Sequence, residues 1–146
     1  MNQLNSIAIT SAAYEQLISL CRNAMPNEAC GILIAELDHD DVLCTVTDVK
    51  AITNRHPHPQ HSFSFDPVEW TTAYFDMQKN RQKIVGFFHS HPSSEAIPSL
   101  DDENGFWSAD GEVSYWIISM LNQSHPVVQP FKRTKGTFTP ISLVLA

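Results

Sequence analysis

The sequence predicts an α/β (α+β) domain in which one mixed β-sheet is flanked by two to three helices. Three observations carry this. Short apolar runs interleave with stretches of helical periodicity along the chain. Glycine, proline or polar turns bound those runs. The chain's 146 residues, 42% apolar and 17% charged, are a globular composition and enough for one core, so a single domain over residues 1–146 is expected.

Residues 6–9 alternate weakly and predict a short strand. Tyr14, Leu17, Ile18 and Cys21 then fall at i, i+3, i+4 and i+7. That is one apolar stripe of a helix that starts at Thr10 or Ser11 and stops before Pro26. Residues 31–37 are a short apolar run opened by a glycine, predicted as a buried strand. A polar turn at 38–41 and a return strand over 42–52 complete a hairpin. Residues 54–61 read Asn-Arg-His-Pro-His-Pro-Gln-His, and the two prolines fix φ and remove donors, which predicts an extended loop.

A short strand is expected at 63–65. Asp66-Pro67-Val68-Glu69 is a helix start, with an acid at the N-cap, proline at N1, and Glu69 at N3 reaching back as a capping box. That helix should run to Asn80 and bury Trp70, Ala73, Tyr74 and Met77. Residues 84–89 predict a central strand, Ser99 caps a short helix reaching Ser108, and residues 113–121 form a long apolar strand. Strands over 127–131 and 137–145 finish the sheet, with Lys135-Gly136 in the turn between them. Pro140 makes the last strand an edge or breaks it there. Trp70, Trp107 and Trp116 are expected in the core.

Charge and cysteine usage narrow the function classes. Net charge is −7, from 9 basic and 16 acidic residues, and the longest basic run is Lys132-Arg133 with Lys135 nearby. Such a chain is a poor partner for nucleic acid or for an anionic membrane surface. No apolar run reaches the roughly 18–20 residues that cross a bilayer. The first ten residues lack the basic and long apolar regions of a secretory signal. Cys21, Cys30 and Cys44 are odd in number and form no CxxC pair, so reduced thiols and a cytoplasmic location are expected, without zinc on the cysteines.

The chemistry gathers in residues 87–102. His89 and His91 are two apart directly after an apolar strand, and in extended backbone such residues point to one side. Ser99 and Asp102 are three apart at the predicted helix start and share a helix face. The seven-residue loop between the pairs holds Pro92 and Pro98 and can fold one pair against the other. Two neutral imidazoles and a carboxylate suit a divalent metal, with zinc preferred and a fourth position left to water. A proton-transfer base is still required. Glu28, where the first helix gives way to a buried strand, is the choice, although Glu36, Glu95, Glu103 and Glu112 compete by type and spacing does not select among them. His56, His58 and His61 share no common face in their proline-rich loop and are expected to be solvated. Whether that loop and Glu95 border a substrate groove is left open.

The segments Glu28-Ala-Cys-Gly-Ile-Leu33, Gly86-Phe-Phe-His-Ser-His-Pro92 and Ser99-Leu-Asp-Asp102 together resemble the JAMM (MPN+) zinc metalloprotease family in its compact prokaryotic form. The family pattern is a Glu well upstream of H-x-H-x(7)-S-x-x-D, and every specified position is filled. Residues 113–119 are similar to the family's strand after the motif, so the resemblance spans nearly the whole chain.

The resemblance implies an MPN/cytidine-deaminase-like sandwich. It implies that His89, His91 and Asp102 bind one Zn2+, that Glu28 holds the catalytic water and moves its proton, and that Ser99 donates a hydrogen bond to the oxyanion. The family spacing selects Asp102 over its neighbour Asp101. The implied activity is hydrolysis of an amide bond by a metallopeptidase or isopeptidase. Its implied partner is the C-terminal Gly-Gly tail of a ubiquitin-like or sulfur-carrier protein, or a peptide, bound by strand addition next to the catalytic strand. A non-catalytic MPN-type scaffold is the alternative, and the retained ligands argue against it. A zinc deaminase would need H-x-E and a downstream P-C-x-x-C, neither of which occurs. The apolar terminal strand leaves a homodimer open.

Overall fold

The structure, a computed structural model, describes residues 5–36, 44–100, 102 and 113–146. In chain order the elements are β1 (Ser6–Ile9), α1 (Ser11–Ala24), β2 (Cys30–Glu36), β3 (Thr45–Val46), β4 (Asp48–Ile52), α2 (Pro67–Lys79), β5 (Gln82–His91), β6 (Ser114–Ser119), β7 (Val127–Thr134), β8 (Thr137–Pro140) and β9 (Ser142–Leu145). The expected turn at 38–41, most of the short helix after Ser99, and Trp107 lie outside the described residues.

Local chemistry explains both helices. Thr10 caps α1, its hydroxyl accepting from the Ala13 amide, and Leu17 and Cys21 of the predicted stripe are buried. Asp66 caps α2 by accepting from the Val68 amide, with Pro67 at N1. The expected capping box does not form. The Asp66 amide donates to the Thr53 carbonyl, and Glu69 Oε1 instead accepts from the Thr53 amide at 2.9 Å. The helix start is thereby tied to the end of β4. Tyr74, expected inside, is 42% exposed, because α2 turns only Ala73 and Met77 fully inward.

Two sheets replace the expected one. The larger has the order β4-β2-β5-β6-β7-β8 and is mixed, with β5 and β6 parallel and the other pairs antiparallel. A smaller sheet has the order β3-β1-β9, and its pairs are parallel. The predicted return strand over 42–52 is therefore split into β3 and β4, one for each sheet. The predicted last strand breaks at Pro140, after which β9 leaves the large sheet to pair with β1. Residues 63–65 contribute one isolated bridge, Phe65 to Asn54, rather than a strand.

The large sheet is packed on both faces. One side carries β1 and α1, with Ile9, Leu17, Leu33, Phe88, Trp116 and Ile118 in its core. The other carries α2, with Ile32, Ile34, Ile52, Ala73 and Met77. Alternation in β2 assigns successive residues to these two cores. In β5 the alternation is interrupted. Leu33 pairs with Gly86 and Ile34 with Ile84, so Val85 is an extra residue, a β-bulge. After the bulge Phe87 lies on the α2 face with Ile84, and His89 and His91 follow at the same parity. An unbulged strand would aim both imidazoles into the α1 core.

Candidate functional site

The site forms at the C-terminal end of β5, which runs antiparallel to β2 and parallel to β6. Such strand ends are where open α/β sheets leave a crevice. His89 is opposite Cys30 of β2 and Ile117 of β6. β5 is paired with β2 as far as His89 and with β6 as far as His91, so over those residues neither edge is open to an added strand, contrary to the expected strand addition beside it.

Three buried side chains converge there. His89 Nε2 and His91 Nε2 are 3.2 Å apart. Asp102 brings Oδ1 to 3.0 Å from His89 Nε2 and Oδ2 to 3.2 Å from His91 Nε2. Among the described residues this is the group whose ligand atoms all lie within 4.8 Å of one another. Tetrahedral ligands at about 2.0–2.1 Å from a cation are about 3.3 Å from each other, so these separations fit a zinc-sized ion.

The surroundings prepare each ligand. His91 Nδ1 is 2.7 Å from the Glu95 carbonyl, which fixes the proton on Nδ1 and leaves the Nε2 lone pair for a cation. The His89 ring stacks on Phe63 at a centroid distance of 4.6 Å. Behind His89 and Asp102 lies a cavity of about 10 Å³ walled by Phe63, Phe87, Tyr115, Ile117 and Phe138. It has room for one water at most. The Ser99 amide donates to Asp102 Oδ2 at 2.8 Å, and the Asp102 amide donates to the Ser99 hydroxyl at 3.1 Å. That reciprocal pair locks the carboxylate in place and leaves the Ser99 hydroxyl hydrogen pointing elsewhere.

Electrostatics agree with a cation site. Burial disfavours a charge on His89 and lowers its pKa, outweighing the contact with Asp102. On His91 burial also acts downward, but the Asp102 contact, the Glu95 carbonyl and the Glu28 charge overcome it and raise the pKa. Burial would raise Asp102, yet its contacts to both imidazoles hold it well below the usual carboxylate range. The site therefore offers an ionised carboxylate beside two imidazoles, and a cation bound there competes with a proton for the His91 Nε2.

Glu28 is buried at 6% exposure just before β2. Cys30 pairs with His89, and the next step is closed by two bonds, Ser90 amide to Ala29 carbonyl (2.9 Å) and Ala29 amide to Ser90 hydroxyl (2.8 Å). Glu28 is the residue before Ala29, outside β2. Its charge acts on both His91 and Cys30.

The competing acids are placed differently. Glu36 pairs with Gln82 at the opposite end of β5, roughly 20 Å along the strand at about 3.3 Å per residue. The Glu95 side chain is exposed, and its main-chain carbonyl is the part that meets His91. Glu103, Glu112 and Asp101 lie outside the described residues. His56 and His58 bond within their own loop, the His58 amide donating to His56 Nδ1 at 3.0 Å. Ser90, Asn54 and Phe63 touch the site and carry no assignment from the sequence, since each is joined to it by contacts far along the chain.

A mixed α/β sandwich with a buried His-His-Asp group at the end of its central strand defines a domain of the JAB/MPN type. More narrowly, the chain belongs to the prokaryotic JAB family: the model described as prokaryotic homologs of the JAB domain matches residues 10–133. Relatives include a desampylase of Pyrococcus furiosus, 31% identical over 66% of this chain and 70% of its own length. A desampylase of Haloferax volcanii is 28% identical over 69% of this chain and 73% of its own. Among solved structures, a protein of Desulfitobacterium hafniense is 37% identical with a TM-score of 0.82, covering 96% of this chain and 92% of that one. A JAB1/MPN domain protein from Archaeoglobus fulgidus, 18% identical, shares the fold with a TM-score of 0.56 over 95% of this chain and 98% of its own.

Proposed function

We propose that this chain is a zinc-dependent isopeptidase. It cleaves the amide bond between the C-terminal Gly-Gly tail of a ubiquitin-like or sulfur-carrier protein and an amine. The observation that carries the reading is the convergence of His89, His91 and Asp102, with the buried Glu28 close enough for its charge to act on His91. Likeness to two desampylases supports a ubiquitin-like partner. In this reading residues 1–146 act as one domain, in the cytoplasm, where the thiols of Cys21, Cys30 and Cys44, which form no disulfide, stay reduced.

A divalent cation held by the three ligands would supply Lewis acidity, making water nucleophilic near neutral pH and polarising a carbonyl. His89 and His91 contribute Nε2 lone pairs, and the Asp102 carboxylate balances charge. Glu28 takes the proton of the attacking water at its carboxylate and returns it to the leaving amine. Ser99, exposed at the rim, donates its hydroxyl hydrogen to the carbonyl oxygen as negative charge develops there. The aromatic wall beside His89 leaves little room for water and so strengthens these interactions.

Metal analysis of purified wild type and His89→Ala tests the site first. The expected result is about one zinc per chain in wild type and none in the variant. Glu28→Gln should then keep its zinc and lose hydrolysis of a Gly-Gly amide. A folded wild type that takes up no metal when zinc is supplied would overturn the hydrolase and leave a scaffold.

A further inference from the structure

We propose that Asn54 is the positioning residue for Glu28, a role that rests on the isopeptidase reading above. Its carboxamide uses all four of its hydrogen-bonding positions. Nδ2 donates to the Glu28 carbonyl at 3.2 Å and to the Ser62 carbonyl at 3.0 Å. Oδ1 accepts from the His56 amide at 3.0 Å and from the Ser64 amide at 3.1 Å. The main chain of Asn54 also bridges Phe65, and the Arg55 amide bonds the Ser64 carbonyl at 2.8 Å, closing the loop at its base.

That loop returns to Glu28 from the other side. The Glu28 amide donates to the Pro59 carbonyl at 2.7 Å. Both main-chain groups of Glu28 are therefore held by the segment that Asn54 fastens, one by its side chain and one by Pro59. Pro57 and Pro59 stiffen this strap. The same strap presents Phe63 to the His89 ring. Glu28 lies just before β2, where the strap holds it by both main-chain groups. Asparagine is the side chain that offers two donors and two acceptors at this reach.

Asn54→Asp is the sharp variant. It keeps both acceptor contacts and sets a carboxylate oxygen against two carbonyls. Asn54→Ala removes all four bonds. Neither change touches His89, His91 or Asp102 directly.

Zinc content, kcat and KM are measured on a peptide ending in Gly-Gly joined to aminomethylcoumarin. The visible spectrum of the cobalt-loaded protein is titrated with pH in wild type, Glu28→Gln and both Asn54 variants. Expected are unchanged zinc content, KM within about twofold, and kcat lowered about 10–100-fold, the scale of a misplacement near 1 Å. The cobalt midpoint should move in the direction that Glu28→Gln moves it. An unchanged kcat and midpoint would overturn the proposal, and so would loss of zinc or of the folded state in both variants. If wild type cleaves nothing, the isopeptidase reading fails on its own, and the cobalt midpoint still decides for or against Asn54.

Discussion

Ser99 makes two contacts to Asp102 and is proposed to donate its hydroxyl hydrogen to substrate. Its hydroxyl oxygen accepts from the Asp102 amide, while its own amide donates to the Asp102 carboxylate. Ser99→Ala keeps the amide contact that holds the Asp102 carboxylate, but it loses both the hydroxyl that accepts from the Asp102 amide and the proposed donor at the rim. The expected outcome is hydrolysis reduced about 10²–10³-fold with zinc content unchanged. Unaltered kcat would leave Ser99 as a cap only. The thiols give a second expectation. Burial pushes Cys21 and Cys30 up from 9.0 to about 12. Iodoacetamide at pH 8 should leave both unmodified in the folded protein, whereas the half-buried Cys44 reacts. The sign for stability follows. Between pH 9 and 12 the unfolded thiols ionise and the folded ones do not, so stability falls as pH rises through that window. Urea midpoints at pH 8 and pH 10 check it. At this scale the convergence of His89, His91 and Asp102 was legible because the three residues sit within one short motif. Asn54 was not, since its value lies in four bonds to residues that only the fold brings near.

Among the elements, β2 and β5 set the site, and Gly31 lets them do so. A Cβ there would run into the Lys50 carbonyl of β4 and the ring of Phe88. Gly31→Ala must push strands apart beside the His89 pair, at a cost of about 1–3 kcal/mol. Thermal melting should show a fall of roughly 3–10 °C for a chain this size. A melt identical to wild type would mean that the sheet relaxes without strain. The helices were readable from local signals, since caps, proline at N1 and the apolar stripe act within one or two turns. The split of the return strand and the departure of β9 to a second sheet were not. Pairing partners are chosen by contacts distant in sequence, and Pro140 told only that the strand would break. The failed capping box has the same origin, because Thr53, on the far side of the loop, competes for both of its members.

For the whole molecule, a cation in the site would join β5 to the connection that carries Asp102, and anything bound to the folded state alone stabilises it. At a concentration about 100 times Kd this amounts to about 2.7 kcal/mol. Stripping the metal with a chelator should therefore lower Tm by roughly 5–10 °C in wild type and leave His89→Ala unchanged. Equal responses in the two proteins would place the bound metal elsewhere. Among the described residues no helix is long and apolar enough to cross a membrane. The terminal strand that left a homodimer open is paired within the chain to β1.

The bulge at Val85 also constrains how such a protein can change over generations. Point substitutions in β5 alter what a position offers, but the loss or gain of one residue there inverts the parity of everything downstream. A lineage that dropped Val85 would drive Phe88 and Ser90 onto the side now held by His89 and His91, and two imidazoles into oil. Length variation in this family should thus be written in its loops and never in this strand, and a catalogue of insertions and deletions would read as a map of where the chemistry is.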